Sequence, residues 1–242
     1  MKSNTDNPAG RLLEILEKAK KLSQSQDWLT NWSALLETPK ENRILLIGRI
    51  GGVMALCSEI HESLTKIEDY DETRGLSWSN NLITAFNEGP KSWSGFVQRI
   101  NDPVLDGLYA VSHVISRSCP EPTVAKEELD QINNETLKMI DFIKNSTLHS
   151  ELKSYLVGQL RSLLATIDSY QIGGGAPIQA VMEQITGHLV LNQNKISSED
   201  ESQKNAIQNI LGFTSRVFEY LKKPIILIGV SADAVQLIDF LK

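Results

Sequence analysis

Residues 46–67 read LIGRIGGVMALCSEIHESLTKI, and this stretch decides the fold class. Its larger apolar residues alternate spacings of four and three over three heptads: Leu46, Ile50, Val53, Cys57, Ile60, Leu64 and Ile67. An α-helix is the regular structure that places side chains with this spacing in one stripe. The stretch therefore predicts a long helix with a buried face, starting at Pro39 or Glu41 and ending at Asp69.

Three glycines fall inside this predicted helix, and each costs about 1 kcal/mol relative to alanine in a helix interior. Gly48 and Gly52 are four residues apart, so they could let another helix approach closely. A hinge or kink is the alternative. Neither interpretation implies catalysis.

Helical spacing returns in nearly every later segment, between strong start and stop signals. Asn7-Pro8 predicts a first helix to about Ser23, and Asp102-Pro103 starts another that Cys119-Pro120 ends. Thr123 is the expected cap of the helix that follows. The sequence predicts an all-α protein, a multi-helix bundle with antiparallel helical hairpins and a C-terminal helical appendage.

Composition shifts suggest the domain organisation. Residues 195–204 are polar and acidic, which is typical of a linker. We therefore expect a helical bundle domain at 1–195, an acidic linker at 196–203 and an apolar C-terminal helical unit at 204–242.

The most apolar stretch of the chain is residues 225–241, although Asp233 and Asp239 interrupt it. It is shorter than the roughly 20 residues that a spanning helix needs, so a simple transmembrane helix is disfavoured. We expect this segment to pack on the helical core or on a second copy of the chain, with membrane docking as an alternative. The predicted interaction residues are Lys222, Lys223, Ile225, Ile228, Ala232, Val235 and Phe240.

The overall charge bears on partners and location. The chain has 24 Lys and Arg against 30 Asp and Glu, a net charge of −6, which disfavours nucleic-acid binding. Two cysteines cannot form a disulfide framework, which favours a reducing compartment. The polar N-terminal residues lack a signal-peptide core, so we expect a cytoplasmic protein, with peripheral membrane contact as an alternative.

Four residues of the sequence are possible metal ligands. Cys57 and His61 have helical ligand spacing, and His113 and Cys119 could supply two more ligands. Cys57 lies in the apolar stripe, however, and His61-Glu62 lacks the second histidine of a zincin helix because Thr65 stands there. We predict no metal site.

Other reactive groups fit structural roles better than chemistry. Gly173-Gly174-Gly175 precedes a predicted helix but lacks the Lys-Ser/Thr of a phosphate loop. His149 and His188 have no nucleophile identifiable near them. The acidic residues Glu127, Glu128, Asp130 and Glu135 lack the Glu-x-x-His repeats of a two-metal bundle. We therefore predict no catalytic or cofactor-binding residue and no cofactor.

Several caps and breakers carry a resemblance to a known group of proteins. They are Asn7-Pro8-Ala9-Gly10-Arg11-Leu12, the Asp102-Pro103 helix, Pro120-Glu121-Pro122 and Glu127-Glu128-Leu129. Together they resemble a scattered family of bacterial helical proteins with no assigned activity, over residues 7–190. The resemblance implies a bacterial accessory protein of the kind carried with mobile-element or anti-phage genes, and it transfers no catalytic residue.

These observations favour a non-enzymatic, helical protein–protein interaction or regulatory protein. A membrane-acting effector that uses the C-terminal apolar unit is the first alternative. An enzyme whose site is assembled from residues far apart in sequence is the second.

Overall fold

A computed structural model describes residues 5–68, 77–88, 92–191 and 201–222. Within these residues the chain forms eleven helices and no strand, which confirms the predicted all-α class. In chain order the helices are α1 (Pro8–Lys21), α2 (Trp28–Leu35), α3 (Arg43–Thr65), α4 (Ser77–Glu88), α5 (Trp93–Arg99), α6 (Asp102–Ser118), α7 (Lys126–Asn145), α8 (Ser150–Asp168), α9 (Tyr170–Gly173), α10 (Ala176–Leu191) and α11 (Glu201–Tyr220).

The described residues divide into two compact units, and this division differs from the predicted one. The first unit contains residues 5–121 and 171–174, and the second contains residues 122–170 and 175–222. Helix α11 does not form a separate unit, because its apolar face is buried in the core of the second unit. Residues 201–203, expected in the acidic linker, are the first turn of α11. Residues 196–200 and 223–242 lie outside the described part.

In the first unit, α1, α2 and α3 pack together, and α1 also packs on α6. Five residues of the predicted α3 stripe are buried: Leu46, Ile50, Val53, Ile60 and Leu64. Cys57 and Ile67 are partly buried against the same core, and Leu56, which the stripe did not include, is fully buried. Edge-on contacts of Trp28 and Trp32 with Trp93 extend this core.

The predicted start of α1 is confirmed in atomic detail. The Asn7 side-chain oxygen accepts a hydrogen bond from the Gly10 amide at 2.9 Å, and Pro8 occupies the first turn. Asn7 Nδ2 also donates to the Ser112 carbonyl at 3.1 Å. This cap therefore both starts α1 and ties it to α6.

The predicted cap at Thr123 is wrong. Helix α7 begins two residues later, after Ala125, and the Glu128 carboxylate accepts the Ala125 amide proton at 2.8 Å. The helix start is therefore stabilised by a carboxylate within the first turn, and no side chain at the N-cap accepts a hydrogen bond.

In the second unit, α8 packs on α7 and α10, and α11 packs on α7 and α10. Residues 146–149 join α7 and α8, a connection short enough to make an antiparallel hairpin. Helices α7 and α11 are also antiparallel. Arg216 Nε binds the Glu135 carboxylate at 3.1 Å, whereas Thr147, beyond the other end of α7, binds Ser202 at the start of α11.

Candidate functional site

Helix α3 has an exposed apolar face opposite its buried stripe. Ile44 is 89% exposed, Ile47 59% and Met54 43%. These three residues lie on one side of the helix, together with Gly48 and Gly51. We call these five residues the α3 face. Three large apolar side chains exposed along one helix are typical of an interaction surface, since single exposed apolar residues are the usual case.

The glycines of α3 serve two different purposes. A Cβ atom at Gly52 would lie 3.3 Å from Cγ2 of Ile172, so the predicted close approach occurs there, within the first unit. At Gly48 and Gly51 a Cβ atom would meet no described atom within 4 Å. At the centre of the α3 face, therefore, no described side chain covers the helix backbone.

Helix α3 is long and apolar enough to cross a membrane by length and composition. It has 23 residues and a window of mean hydropathy 1.5, of which 33% is buried. The helix contains two arginines, of which Arg43 is exposed at its start and Arg49 is buried. The Nη1 atom of Arg49 donates to the Leu36 carbonyl at 3.0 Å and to the Thr38 hydroxyl at 2.6 Å. These bonds fasten α3 to the turn after α2.

The most buried charged group at the centre of the first unit is Arg11, whose side chain is 3% exposed. Its Nε atom donates to the Ile172 carbonyl at 2.7 Å, and Nη1 donates to the Glu121 carboxylate at 2.6 Å. Nη2 lies 3.6 Å from the Glu59 carboxylate. One side chain thus joins α1 to α3, to α9 and to the chain after α6.

The backbone at Gly174 packs closely against the Arg11 guanidinium. Gly174 has a φ of 65°, and a Cβ atom there would lie 2.5 Å from Nη1 of Arg11. The Glu121 amide donates to the Asp6 carbonyl at 2.6 Å, on the same side of the unit. Arg11 and Glu121 both belong to the motifs behind the bacterial resemblance, so the structure brings together two of those motifs as a packing junction.

Two opposing effects act on the pKa of Glu59 at this junction, namely burial and the positive charge of Arg11. Burial raises its pKa above the ordinary value of 4.5, against the opposing attraction of Arg11. A carboxyl group whose pKa is raised by folding adds stability below its unfolded pKa, and this contribution is lost as the pH rises through the folded pKa.

We therefore expect Glu59→Gln to stabilise the protein near neutral pH, because the amide resembles the protonated acid. The measurement is the urea midpoint of both proteins at about pH 4 and about pH 7. Both proteins should have the same midpoint at the lower pH, and the variant the higher midpoint at the upper pH. A variant less stable at neutral pH would show that the attraction of Arg11 dominates instead.

The four residues considered as metal ligands have other environments. Cys57 is partly buried against the core of the first unit, and this burial raises the pKa of its thiol to about 11. His61 is exposed, and the His113 ring meets the edge of Tyr109 at 4.4 Å. Cys119 is the C-cap residue of α6. Among the residues that the structure describes, no three His, Cys, Asp or Glu side chains gather as a metal site.

The remaining histidines lie in the second unit. His149 is the exposed N-cap residue of α8 and makes no side-chain cap bond. His188 stacks on Tyr155 with ring centroids 3.7 Å apart. The Tyr155 hydroxyl donates to the Gln184 carbonyl at 3.2 Å, and burial raises its pKa. These contacts join α8 to α10.

The glycine turn and the acidic residues have structural partners. A Cβ atom at Gly175 would lie 2.3 Å from the Pro122 carbonyl oxygen, so the turn is closed by packing. Glu135 pairs with Arg216 and Glu128 caps α7. The other two predicted acidic residues, Glu127 and Asp130, are exposed.

Of the predicted interaction residues, the structure describes Lys222. It is exposed and has a φ of 52°, directly after α11. The other six lie outside the described residues: Lys223, Ile225, Ile228, Ala232, Val235 and Phe240.

A cleft between α7 and α11 was not predicted from the sequence. It has a volume of about 550 Å³ and is lined on α7 by Lys138, Met139 and Phe142. Gly212 and Phe213 line it on α11. Phe142 remains 38% exposed there. The sequence signal that could have indicated the cleft is Gly212 of α11, which lies opposite Met139 and Phe142 of α7.

The fold and these surfaces define an all-helical protein of two units, with an exposed apolar helix face in one and a cleft of mixed polar and apolar lining in the other. Comparisons with protein-family models, with curated proteins and with solved structures found no match to this chain.

Proposed function

We propose that this chain is a non-enzymatic helical interaction protein and that the α3 face is its docking surface. The observation that carries the proposal is the exposure of Ile44, Ile47 and Met54 along one helix. Burying large apolar side chains against a partner contributes about 25 cal/mol per Å² removed from water. The proposed setting is a bacterial cytoplasm, as an accessory factor in anti-phage defence, and this setting rests on the sequence resemblance alone.

A second copy of the chain is the partner that this surface fits best. The bare backbone at Gly48 and Gly51 lets another helix approach closely, and the same two glycines would supply the space on the other copy. Antiparallel pairing of two α3 helices about an axis between Gly48 and Gly51 would place Ile44 of one copy beside Met54 of the other, as in a two-fold symmetric contact.

The test is the solution mass of the purified chain. We expect the wild type to sediment above the 27.0 kDa of one chain. Ile44→Glu with Ile47→Glu should yield the mass of one chain with unchanged helicity, because two buried carboxylates would face an apolar partner. Ile83→Glu with Leu191→Glu is the matched control, since both residues are exposed outside α3. A monomeric wild type, or a double α3 variant that still associates, would contradict the proposal.

A membrane-acting effector is the second candidate function. The length and hydropathy of α3 support membrane contact through this helix. The sequence instead predicts such contact through the C-terminal apolar unit at 204–242. Flotation with phospholipid vesicles separates the two locations. Loss of flotation in the α3 variant would assign it to α3, and loss after deletion of residues 224–242 would assign it to the C-terminal segment. An enzyme built from dispersed residues stays an alternative prediction, which a metal or nucleotide retained in native mass spectrometry would favour.

A further inference from the structure

We infer that the cleft between α7 and α11 is the docking site of this chain's own residues 225–241. The cleft combines apolar side chains, including Met139 and Phe142, with polar and charged ones, which include Lys138 and the Glu135–Arg216 ion pair. Lys138 has no ion-pair partner among the described residues, whereas Arg216 beside it binds Glu135. The site is therefore suited to an apolar segment that carries one acidic residue.

Residues 225–241 are largely apolar, and their two charged residues are Asp233 and Asp239. Asp233 is the acidic residue available to Lys138, because a helix would place Asp239 on a different side. Spacings of three and four connect Leu227, Val230, Ala234, Leu237 and Leu241, so a helix would place them in one seam. Asp233 directly precedes a seam residue, which is the flanking position where charges pair between helices. The patch of Ile225, Ile228 and Val235 would instead share its side of the helix with Asp239.

The end of α11 allows the chain to change direction after Lys222. The Lys222 amide donates to the Glu219 carbonyl at 2.9 Å, and Lys222 has the left-handed backbone that ends helices. Pro224 cannot extend the helix. Residues 225–241 can then run back along α11.

The reach and the register both agree with this path. As a helix, residues 225–241 would span about 25 Å, whereas the cleft lies about 6 to 18 Å back from the end of α11, between Arg216 and Gln208. A segment returning from the level of Tyr220 brings Asp233 to the level of Gly212. Lys138 lies three residues beyond Glu135, which pairs with Arg216, so the antiparallel α7 places Lys138 at the level of Phe213. The carboxylate and the ammonium therefore meet.

The glycine at the centre of the cleft permits a sharp test in the full-length chain. A Cβ atom at Gly212 would have as its nearest neighbour Nη1 of Arg216 at 3.7 Å, so a side chain fits there without disturbing the core. Gly212→Glu would fill the cleft and repel Asp233. Gly158→Glu is the matched control, because a Cβ atom at this exposed helical glycine of the same unit meets no described atom within 4 Å.

The readout is amide hydrogen exchange in residues 225–241, measured by mass spectrometry. We expect these amides to exchange at least about tenfold more slowly than in an unstructured peptide of the same sequence. Gly212→Glu should abolish the protection and Gly158→Glu should retain it. Lys138→Glu and Asp233→Lys should each weaken it, and the two together should restore it.

Four outcomes would overturn the inference. They are unprotected amides in the wild type, protection that Gly212→Glu leaves unchanged, protection that grows with protein concentration, and protection that requires added phosphatidylglycerol vesicles. The third would assign the segment to a second copy, and the fourth to a lipid surface. Helicity measured on each variant separates loss of docking from loss of folding.

Discussion

Arg11→Met should lower the free energy of unfolding of the first unit by about 3 kcal/mol. Methionine keeps most of the apolar stem but removes the guanidinium, which leaves the Glu121 carboxylate and the Ile172 carbonyl without their donor. Removing one partner of a buried ion pair costs about 3–5 kcal/mol. The low end applies because Glu121 is 22% exposed and water can solvate it in part.

Tryptophan fluorescence during urea unfolding measures this loss in the first unit, since all four tryptophans belong to it. Lys18→Met is the control on the same helix. Lys18 binds Glu14 at 2.7 Å, nearly the distance of the Arg11 pair, but the side chains of Lys18 and Glu14 are 50% and 38% exposed. The control should change stability by about 0.3 kcal/mol. Equal effects of the two substitutions would show that burial does not determine the strength of the Arg11 pair.

The sequence predicted the helices well because local signals determine where they begin and end. Asn7-Pro8 and Asp102-Pro103 combine a cap or first-turn position with a proline, and α1 and α6 begin at those residues. Such signals act over one turn of helix, so they need no knowledge of the tertiary structure.

The division into units was not predictable from the same signals. Pro120-Glu121-Pro122 ends a helix in sequence whether or not a unit boundary follows, and here the boundary falls at residue 122. The acidic residues before α11 resembled a linker. Glu201 is instead in the first turn of α11, where the positive end of the helix dipole favours a carboxylate.

The surfaces on which the two proposals rest could be predicted only in part from the sequence. The heptad spacing identified the buried side of α3, but it gave no information about Ile44, Ile47 and Met54, which lie on the other side. An apolar residue on every side of a helix is a signal in its own right, because such a helix must be covered by protein or lipid. The Arg11 junction was not predicted, since its partners are 48, 110 and 161 residues away in sequence.

The second prediction with a large effect on stability concerns the buried stripe of α3. Ile60→Ala should lower the free energy of unfolding by about 2–5 kcal/mol, because Ile60 is fully buried and the truncation leaves a cavity in addition to removing apolar contact. Ile47→Ala deletes the same atoms from the same helix at a residue that is 59% exposed, and it should change stability by no more than about 0.5 kcal/mol at protein concentrations that keep the chain monomeric. Urea midpoints from tryptophan fluorescence, at one protein concentration, compare the two. The comparison tests the rotation of α3 about its axis as well as its existence. An unchanged midpoint for Ile60→Ala together with a large loss for Ile47→Ala would mean that the helix presents its opposite side to the core. The α3 face would then not be a docking surface.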